Sequence, residues 1–326
     1  MKKYIIKRLV QNNIIINLIM KILILGANGL VGSSLTRNLS RLIPSSTIIS
    51  STRKDTDLFS FDETKKLIDT ELPDIIINAA AKVGGIHANN TQRTEFILNN
   101  LKINMNILES LIAHHEISLI NLGSSCIYPL GASIPISEDS LHTGKLEPTN
   151  SPYAMAKLTA IEIGNALTLQ YGHKIINLMP TNLYGPNDNF SETTSHVIPG
   201  IISRMHKSKV NKDESFKVWG TGKPLREFMH VDDLTDAISF LINNELLSET
   251  LLNVGTNEEI SINELVEKIK SIIDFKGQIE FNSDMPDGNP RKLLDSSKLN
   301  NYGWEPKVTL NSGLKDVYHW YLENNS

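Results

Sequence analysis

The sequence is poor in cysteine: Cys126 stands alone among 326 residues. This excludes an intrachain disulfide and a cysteine-rich metal site, and a lone thiol fits a reducing, cytoplasmic compartment. Charge of one dominant sign is also missing. The formal net charge is −4 and the isoelectric point is near 6.2, which argues against nucleic acid or an anionic membrane as a partner. Beyond residue 19 no apolar run approaches the roughly 18 residues that a membrane span needs. No internal repeat or low-complexity linker divides the chain. His87, His142, His173, His206, His230 and His319 have no spacing that suggests metal ligands. What remains is an ordinary globular composition, 40% hydrophobic and 21% charged. It suits one large α/β domain with an appendage, or two packed units.

Residues 1–19 differ from the rest. A basic start, Met1-Lys2-Lys3, precedes the apolar Ile14–Ile19, the order of a secretion signal. Asn12, Asn13 and Asn17 interrupt the apolar part and no small-residue cleavage site follows. We read the segment as an N-terminal extension, with Met20 standing where a start would be, directly before the first strand.

Lys21–Leu25 is a continuous apolar run, as in a strand buried on both faces of a parallel sheet. Gly26-Ala27-Asn28-Gly29-Leu30-Val31-Gly32 follows at once and leads into a helical pattern. Glycines between strand and helix permit a tight turn and close approach to a pyrophosphate, and the helix N-terminus offers N–H donors. This predicts dinucleotide binding. The next strand, Thr47–Ser50, exits at Arg53. Where NAD-preferring folds place an acid for the ribose 2′-OH, an arginine suits a 2′-phosphate, so NADP(H) is the expected cofactor. Asp74–Ala80 and Ile117–Leu122 read as further buried strands. A single helix is expected from about Thr91 to His115, with Asn100, Asn104 and Asn106 either buried hydrogen-bonders or surface residues.

Ser151-Pro152-Tyr153-Ala154-Met155-Ala156-Lys157 reads as the first turns of a helix, with Ser151 as its cap. Tyr153 and Lys157 are four residues apart and share a face. An ammonium beside a phenol would lower its pKa from about 10 toward neutrality. His173–Met179 is the next strand, leading into Pro180-Thr181-Asn182-Leu183. The alternation predicts an α/β, Rossmann-type doubly wound parallel sheet over residues 20–186. Residues 187–326 read as a smaller α+β substrate domain, with some segments returning to the first core. Within it, Val218–Asp233 reads as loop and short strand, Ser261 caps a helix, and a last helix runs from Leu310 to Leu322.

Several stretches together carry a resemblance. They are Ala79–Ile86, Leu122-Gly123-Ser124-Ser125-Cys126-Ile127-Tyr128-Pro129, Leu146–Asn150, Met179–Pro186, Ser195-His196-Val197-Ile198-Pro199, Arg226–Asp233 and Pro286–Asp295. From Lys21 almost to its end, the chain resembles the extended short-chain dehydrogenase/reductases that act on nucleotide sugars. Within them it is similar to the bifunctional group that epimerises C3 and C5 of GDP-4-keto-6-deoxy-D-mannose and reduces C4 with NADPH. The resemblance implies catalytic roles for Ser124, Tyr153 and Lys157, and an epimerisation pair of Cys126 and His196. It places Leu122, Gly123, Ser124, Ser125, Lys157, Pro180–Leu183 and His196 beside the cofactor. It gives the GDP-sugar to Arg204, Trp219, Arg226 and Asp287. Asn28 stands in the glycine turn where relatives carry a basic residue, which leaves the 2′-phosphate to Arg53. A homodimer packed through long helices of the dinucleotide domain is also implied.

The chemistry agrees with these assignments. A C4 ketone acidifies the hydrogens on C3 and C5, and inversion needs a base on one face and an acid on the other. Thiol and imidazole, with reference pKa values of about 8.5 and 6.5, can form such a pair. Ser124 and Tyr153 would hydrogen-bond the enolate oxygen and later serve reduction at the same carbon. The nearest rivals of this fold are 4-epimerases and 4,6-dehydratases that retain NAD. Dehydratases typically carry an Asp-Glu pair where this chain has Ser125-Cys126. A non-catalytic NADP-binding regulator would tend to lose the Tyr or the Lys.

Overall fold

A computed structural model describes residues 19–192, 194–284 and 287–325, apart from the side chain of residue 87. The extension expected over residues 1–19 lies, except for Ile19, outside the described residues. In chain order the first half comprises β1 (Met20–Leu25), α1 (Leu30–Leu42), β2 (Ser46–Ser51), α2 (Phe61–Glu71), β3 (Ile75–Asn78), α3 (Ile86–Thr91), α4 (Arg93–Leu111), β4 (Ser118–Leu122), α5 (Ser151–Tyr171), β5 (Ile175–Pro180) and β6 (Asn182–Tyr184). The second half comprises α6 (Val197–Asn211), β7 (Ser215–Trp219), β8 (Leu225–His230), α7 (Val231–Asn243), β9 (Leu251–Val254), β10 (Glu259–Ser261), α8 (Ile262–Ile273), β11 (Gln278–Asn282), β12 (Arg291–Lys292), α9 (Ser297–Asn301) and α10 (Leu310–Asn325).

Six strands form a parallel sheet in the order β2-β1-β3-β4-β5-β9. The order reverses between β1 and β3, so the crevice beyond their carboxyl ends is the switch point where such sheets bind ligands. Alternate residues of the buried strands serve opposite faces. Ile22 and Ile24 pack with Leu35 and Leu39 of α1 and with Leu234, Ile238 and Leu241 of α7. Leu23 and Leu25 pack with Ile68 of α2, Ile103 and Ile107 of α4 and Leu167 of α5. Each fully buried Leu or Ile contributes roughly 1.5–3 kcal/mol relative to exposure, which fixes helices on both faces. A second sheet, β10-β8-β12 with β6 also on β8, and a pair β11-β7 build the other half. Its core joins α6, α8 and α10 through Ile201, Met205, Leu265, Ile269, Leu314 and Val317.

The two halves of the sequence interleave. β9 and α7 come from the second half yet pack on the six-stranded sheet, while β6, inside residues 20–186, pairs with β8. The stretch read as loop and short strand holds β8, which turns at His230 directly into α7. The His230 ring accepts the Asp232 N–H at 3.3 Å, and Asp232 and Asp233 in the first turn suit the positive helix end. The helix expected from about Thr91 to His115 is α4, which begins at Arg93 and ends at Leu111, and a separate short helix, α3, precedes it with Gln92 between them. Ser261 caps α8 in a capping box with Glu264.

A row of asparagines crosses the sheet interior. Asn78 donates to Asn121 at 3.0 Å and to Asn104 at 3.1 Å, and Asn121 donates to Asn177 at 3.0 Å. Asn100 holds both the N–H and the carbonyl of Lys82 at 3.0 Å. Asn100 and Asn104 are thus buried hydrogen-bonders; Asn100 fixes the loop beyond β3, and Asn104 ties α4 to Asn78 of β3. Asn106 donates to the Leu58 carbonyl at 2.8 Å. Among the described residues no helix is long and apolar enough to cross a membrane, and no cluster of His, Cys, Asp and Glu could hold a metal.

Candidate active site

The glycine turn sits at the switch point. Gly26 has φ +79°, and a Cβ there would lie 2.8 Å from the Ala80 backbone. A Cβ on Gly32 would lie 2.1 Å from the Gly26 carbonyl. These two glycines let strand, turn and helix close up. Gly29 is different. It is the N-cap of α1, and a Cβ there would meet only the Gly26 carbonyl, at 3.5 Å. The Gly29 lip of the turn is thus uncrowded, at a helix N-terminus of the kind that suits an anionic diphosphate. Asn28 and Gly29 are exposed on this lip, with Leu30 and Val31 half-buried and Ala27 buried. The residues present fit a dinucleotide.

Arg53 is exposed just past β2, its guanidinium 4.9 Å from the Phe59 ring centre. The nearby acids are committed to local turns. Asp55 accepts the Thr52 N–H and hydroxyl at 2.8 and 2.6 Å, and Asp57 accepts the Phe59 N–H at 3.1 Å.

Beyond β4, the Gly123 N–H donates to the Leu178 carbonyl at 2.8 Å, and a Cβ on Gly123 would collide with Met179. A 3-10 turn, Ser125–Ile127, follows, with Ser125 buried. Ser124 caps it by accepting the Cys126 N–H at 3.2 Å. This turn sets Cys126, half-buried, beside the first turn of α5. Ser151 is the first residue of α5 and not its cap. Asn150 occupies the cap position but makes no capping bond; its Nδ2 lies 3.6 Å from the Cys126 sulfur and its Oδ1 is buried without a partner. Tyr153 lies edge-on to Phe96, ring centres 6.3 Å apart.

Lys157 is 2% exposed and donates to the Leu122 carbonyl at 2.6 Å. Its Nζ is 5.9 Å from the Tyr153 ring centre. Burial pushes its pKa down to about 8. The expected lowering of the Tyr153 pKa is not what the structure shows. Burial, with the Cys126 sulfur adding to it, pushes the phenol well above its ordinary value, and a hydrogen bond with Ser124 opposes this only in part. Desolvation outweighs the lysine, whose charge is itself disfavoured and held on a backbone carbonyl.

His196 is the N-cap of α6, with its side chain uninvolved in capping and open to solvent. The surrounding protein still depresses the imidazole pKa through desolvation. The residues before it rest on the loop beyond β3: Gly85 N–H donates to the Thr194 carbonyl at 3.2 Å, and a Cβ on Gly85 would lie 2.6 Å from the Ser195 carbonyl.

Pro180–Leu183 crosses from one sheet to the other. Thr181 N–H donates to the Val254 carbonyl at 3.0 Å, and the Asn182 amide donates to the Glu227 carbonyl at 2.7 Å. On the far wall, the Arg204 guanidinium stacks on Phe216 and Trp219 at 5.3 and 5.4 Å, and Trp219 is 50% exposed. Arg226 donates to the Leu225 and Asp287 carbonyls at 2.8 and 3.3 Å. The Asp287 carboxylate accepts the Thr221 N–H and hydroxyl at 2.7 and 2.8 Å. Burial works against the charge on both arginines, the setting in which an anionic ligand is favoured.

Three contributors escaped the sequence reading. Glu227 is fully buried, and its carboxylate accepts the N–H groups of Thr256 at 2.7 Å, Asn257 at 2.9 Å and Leu294 at 3.1 Å. It ties β8 to the segments on either side. Lys292 reaches Cys126 and Gly85 supports Ser195. A buried carboxylate leaves no period in a sequence, and the other two act across long separations.

The profile of the NAD dependent epimerase/dehydratase family matches residues 22–255. The chain is 47% identical over 304 residues to GDP-L-fucose synthase 1 of Arabidopsis thaliana, covering 93% of this chain and 94% of the relative. Among solved structures it is similar to a GDP-6-OMe-4-keto-L-xylo-heptose reductase from C. jejuni, with a TM-score of 0.87, 30% identity, and 94% and 98% of the two chains covered. It is also similar to a GDP-L-fucose synthetase from Naegleria fowleri bound to NADP, with a TM-score of 0.83, 27% identity and 94% of each chain covered. The glycine turn at the switch point, the Tyr153–Lys157 helix and these likenesses agree: the chain belongs to the NAD dependent epimerase/dehydratase family.

Proposed function

We propose that this enzyme converts GDP-4-keto-6-deoxy-D-mannose to GDP-L-fucose, by epimerisation at C3 and C5 followed by NADPH-dependent reduction at C4. The observation that carries the reading is the convergence of Ser124, Cys126 and Tyr153 on one end of the sheet, within electrostatic and hydrogen-bond reach of one another. Cys126 as thiolate takes a proton from the carbon beside the ketone, forming an S–H bond and leaving the electron pair as an enolate with its charge on O4. His196 returns a proton to the opposite face. Ser124 and Tyr153 hydrogen-bond O4 as charge develops there. When bound, the nicotinamide supplies the hydride to C4. Tyr153, held in its O–H form by burial, donates the proton that completes the alcohol, and Lys157 would hold the nicotinamide ribose.

Gly26–Gly32 with α1 hold the diphosphate, Arg53 reads the 2′-phosphate, and Leu122–Ser125 with Pro180–Leu183 line the nicotinamide half. Arg204, Trp219, Arg226 and Asp287 hold the GDP-sugar, so residues 20–186 serve mainly the cofactor and residues 187–326 mainly the substrate. A second copy packs on α4 and α5. These helices lie side by side; α4 exposes Leu98, Met105 and, at its end, Ile112, seven residues apart, and α5 exposes Met155 and Leu169. The product is a soluble nucleotide sugar, and the reading is of a cytoplasmic enzyme.

The test is NADPH oxidation with GDP-4-keto-6-deoxy-mannose in deuterated water, with mass analysis of the product. Deuterium at C3 and C5 is expected. Oxidation without it would leave a simple 4-reductase and remove Cys126 and His196 from the chemistry. Bound NADPH that is not oxidised would favour a retained-cofactor epimerase.

A further inference from the structure

The Cys126 sulfur receives two side-chain donors from distant parts of the chain. Lys292 Nζ lies 3.5 Å from it and Asn150 Nδ2 lies 3.6 Å from it. Asn150, the residue before α5, makes this contact with its Nδ2 and no capping bond with its oxygen. The reach of Lys292 is also fixed by backbone. Lys292 belongs to β12, in register with Arg226 of β8. Two residues on, the Leu294 N–H is held by the buried Glu227 carboxylate at 3.1 Å. Ile136 N–H donates to the Leu293 carbonyl at 2.8 Å and Asp295 N–H to the Ile136 carbonyl at 2.8 Å. Arg291 turns the other way, to Glu259 at 2.7 Å, so strand alternation sends Lys292 to the cleft.

We infer that Lys292 is a positioning residue for Cys126, its ammonium holding the sulfur as a thiolate, with the Asn150 amide as second donor. An ammonium has protons to give and no lone pair, so this contact is strengthened when the sulfur is anionic. The inference deepens the proposed function, since it rests on Cys126 acting as the base. It assigns part of the epimerisation machinery to a two-residue strand near the end of the chain. Besides Lys292, the charged or titratable groups facing the sulfur are Tyr153 of α5 and Arg226 of β8. Arg226 keeps its charge and Tyr153 its proton across the range used below.

The chain has a single cysteine, so alkylation by iodoacetamide reports this sulfur alone, without substrate or turnover. The rate is measured from pH 6 to pH 10 for the wild type, Lys292→Met, Lys292→Gln and Lys292→Arg. At pH 7 Met and Gln should each slow alkylation about tenfold, the curves should converge toward pH 10, and Arg should restore most of the rate. Two uncharged variants of different polarity guard against a folding failure in one of them, and thermal melts and NADPH binding check the fold of each. Equal rates in wild type and both uncharged variants at pH 7 would overturn the inference and leave Lys292 to the substrate. So would a slowing that is the same at every pH, which is an effect of access. Because alkylation reads ionisation and not proton transfer to carbon, Lys292 can fail this test while Cys126 remains the base. Cys126 can likewise lose that role while Lys292 passes.

Discussion

Gly85 and Ser195 meet backbone to backbone, so that a Cβ on residue 85 would stand 2.6 Å from the Ser195 carbonyl oxygen. The glycine is there because a main-chain oxygen cannot swing aside as a side chain can. Its partner segment carries His196 into the start of α6. Gly85→Ala should therefore shift His196 by some tenths of an ångström or more while leaving the turn Gly26–Gly32 in place. A displacement of about 1 Å can cost on the order of a hundredfold in rate. The expected outcome is a loss of at least tenfold in deuterium exchange at C3 and C5, with NADPH affinity unchanged. Undiminished exchange would mean that the loop yields without moving the imidazole.

Cys126→Ser replaces the thiol by a hydroxyl of much higher pKa in the same 3-10 turn. The Ser124 cap on residue 126 uses the backbone N–H and survives the change. Epimerisation should fall by at least a hundredfold, a loss of roughly 3 kcal/mol in transition-state stabilisation, with NADPH binding intact. Solvent exchange at both carbons at the wild-type rate would take Cys126 out of the mechanism.

Arg53→Ala should weaken NADPH more than NADH. The two nearby acids, Asp55 and Asp57, are occupied by Thr52 and Phe59, which leaves positive charge, Arg53 with Lys54 beside it, offered at the strand exit. A lost charge-assisted contact to a phosphate is worth about 1.5–3 kcal/mol, so NADPH affinity should drop between tenfold and about a hundredfold and NADH affinity little. Equal losses for both would show that the arginine does not read the phosphate.

The local parts of this architecture were legible in the sequence. The strand–glycine–helix start, the apolar strands and the Tyr153–Lys157 helix each follow from neighbours within a few residues. What escaped depends on separations that no window spans. Lys292 meets Cys126 across 166 positions, and α7 packs on β1 because of the sheet order. Ser151 opens α5 instead of capping it, and the residue at the cap position, Asn150, directs its Nδ2 to a sulfur 24 residues away. The Tyr153 pKa was misjudged for a related reason: spacing reports that a lysine is near, but not that both groups are desolvated.

Lys157 combines burial, charge and a single backbone partner, and this gives stability a pH dependence of definite sign. Burial lowers its pKa from 10.5 to about 8. Between those values the unfolded chain holds more protons than the folded one, so the wild type gains stability as pH rises through that window. Below about pH 8 the full cost of the buried ammonium is present, roughly 3 kcal/mol, offset in part by its hydrogen bond to the Leu122 carbonyl. Lys157→Met keeps most of the volume and removes the charge. Relative to wild type, the variant should therefore be most stable near pH 7 and lose that advantage toward pH 10.5, a swing in relative Tm of several degrees. Its reductase activity should be lost at every pH. Melting curves of the two proteins from pH 7 to pH 10 decide the matter. A Tm difference that stays constant across the range would show that Lys157 is charged at no cost to the fold.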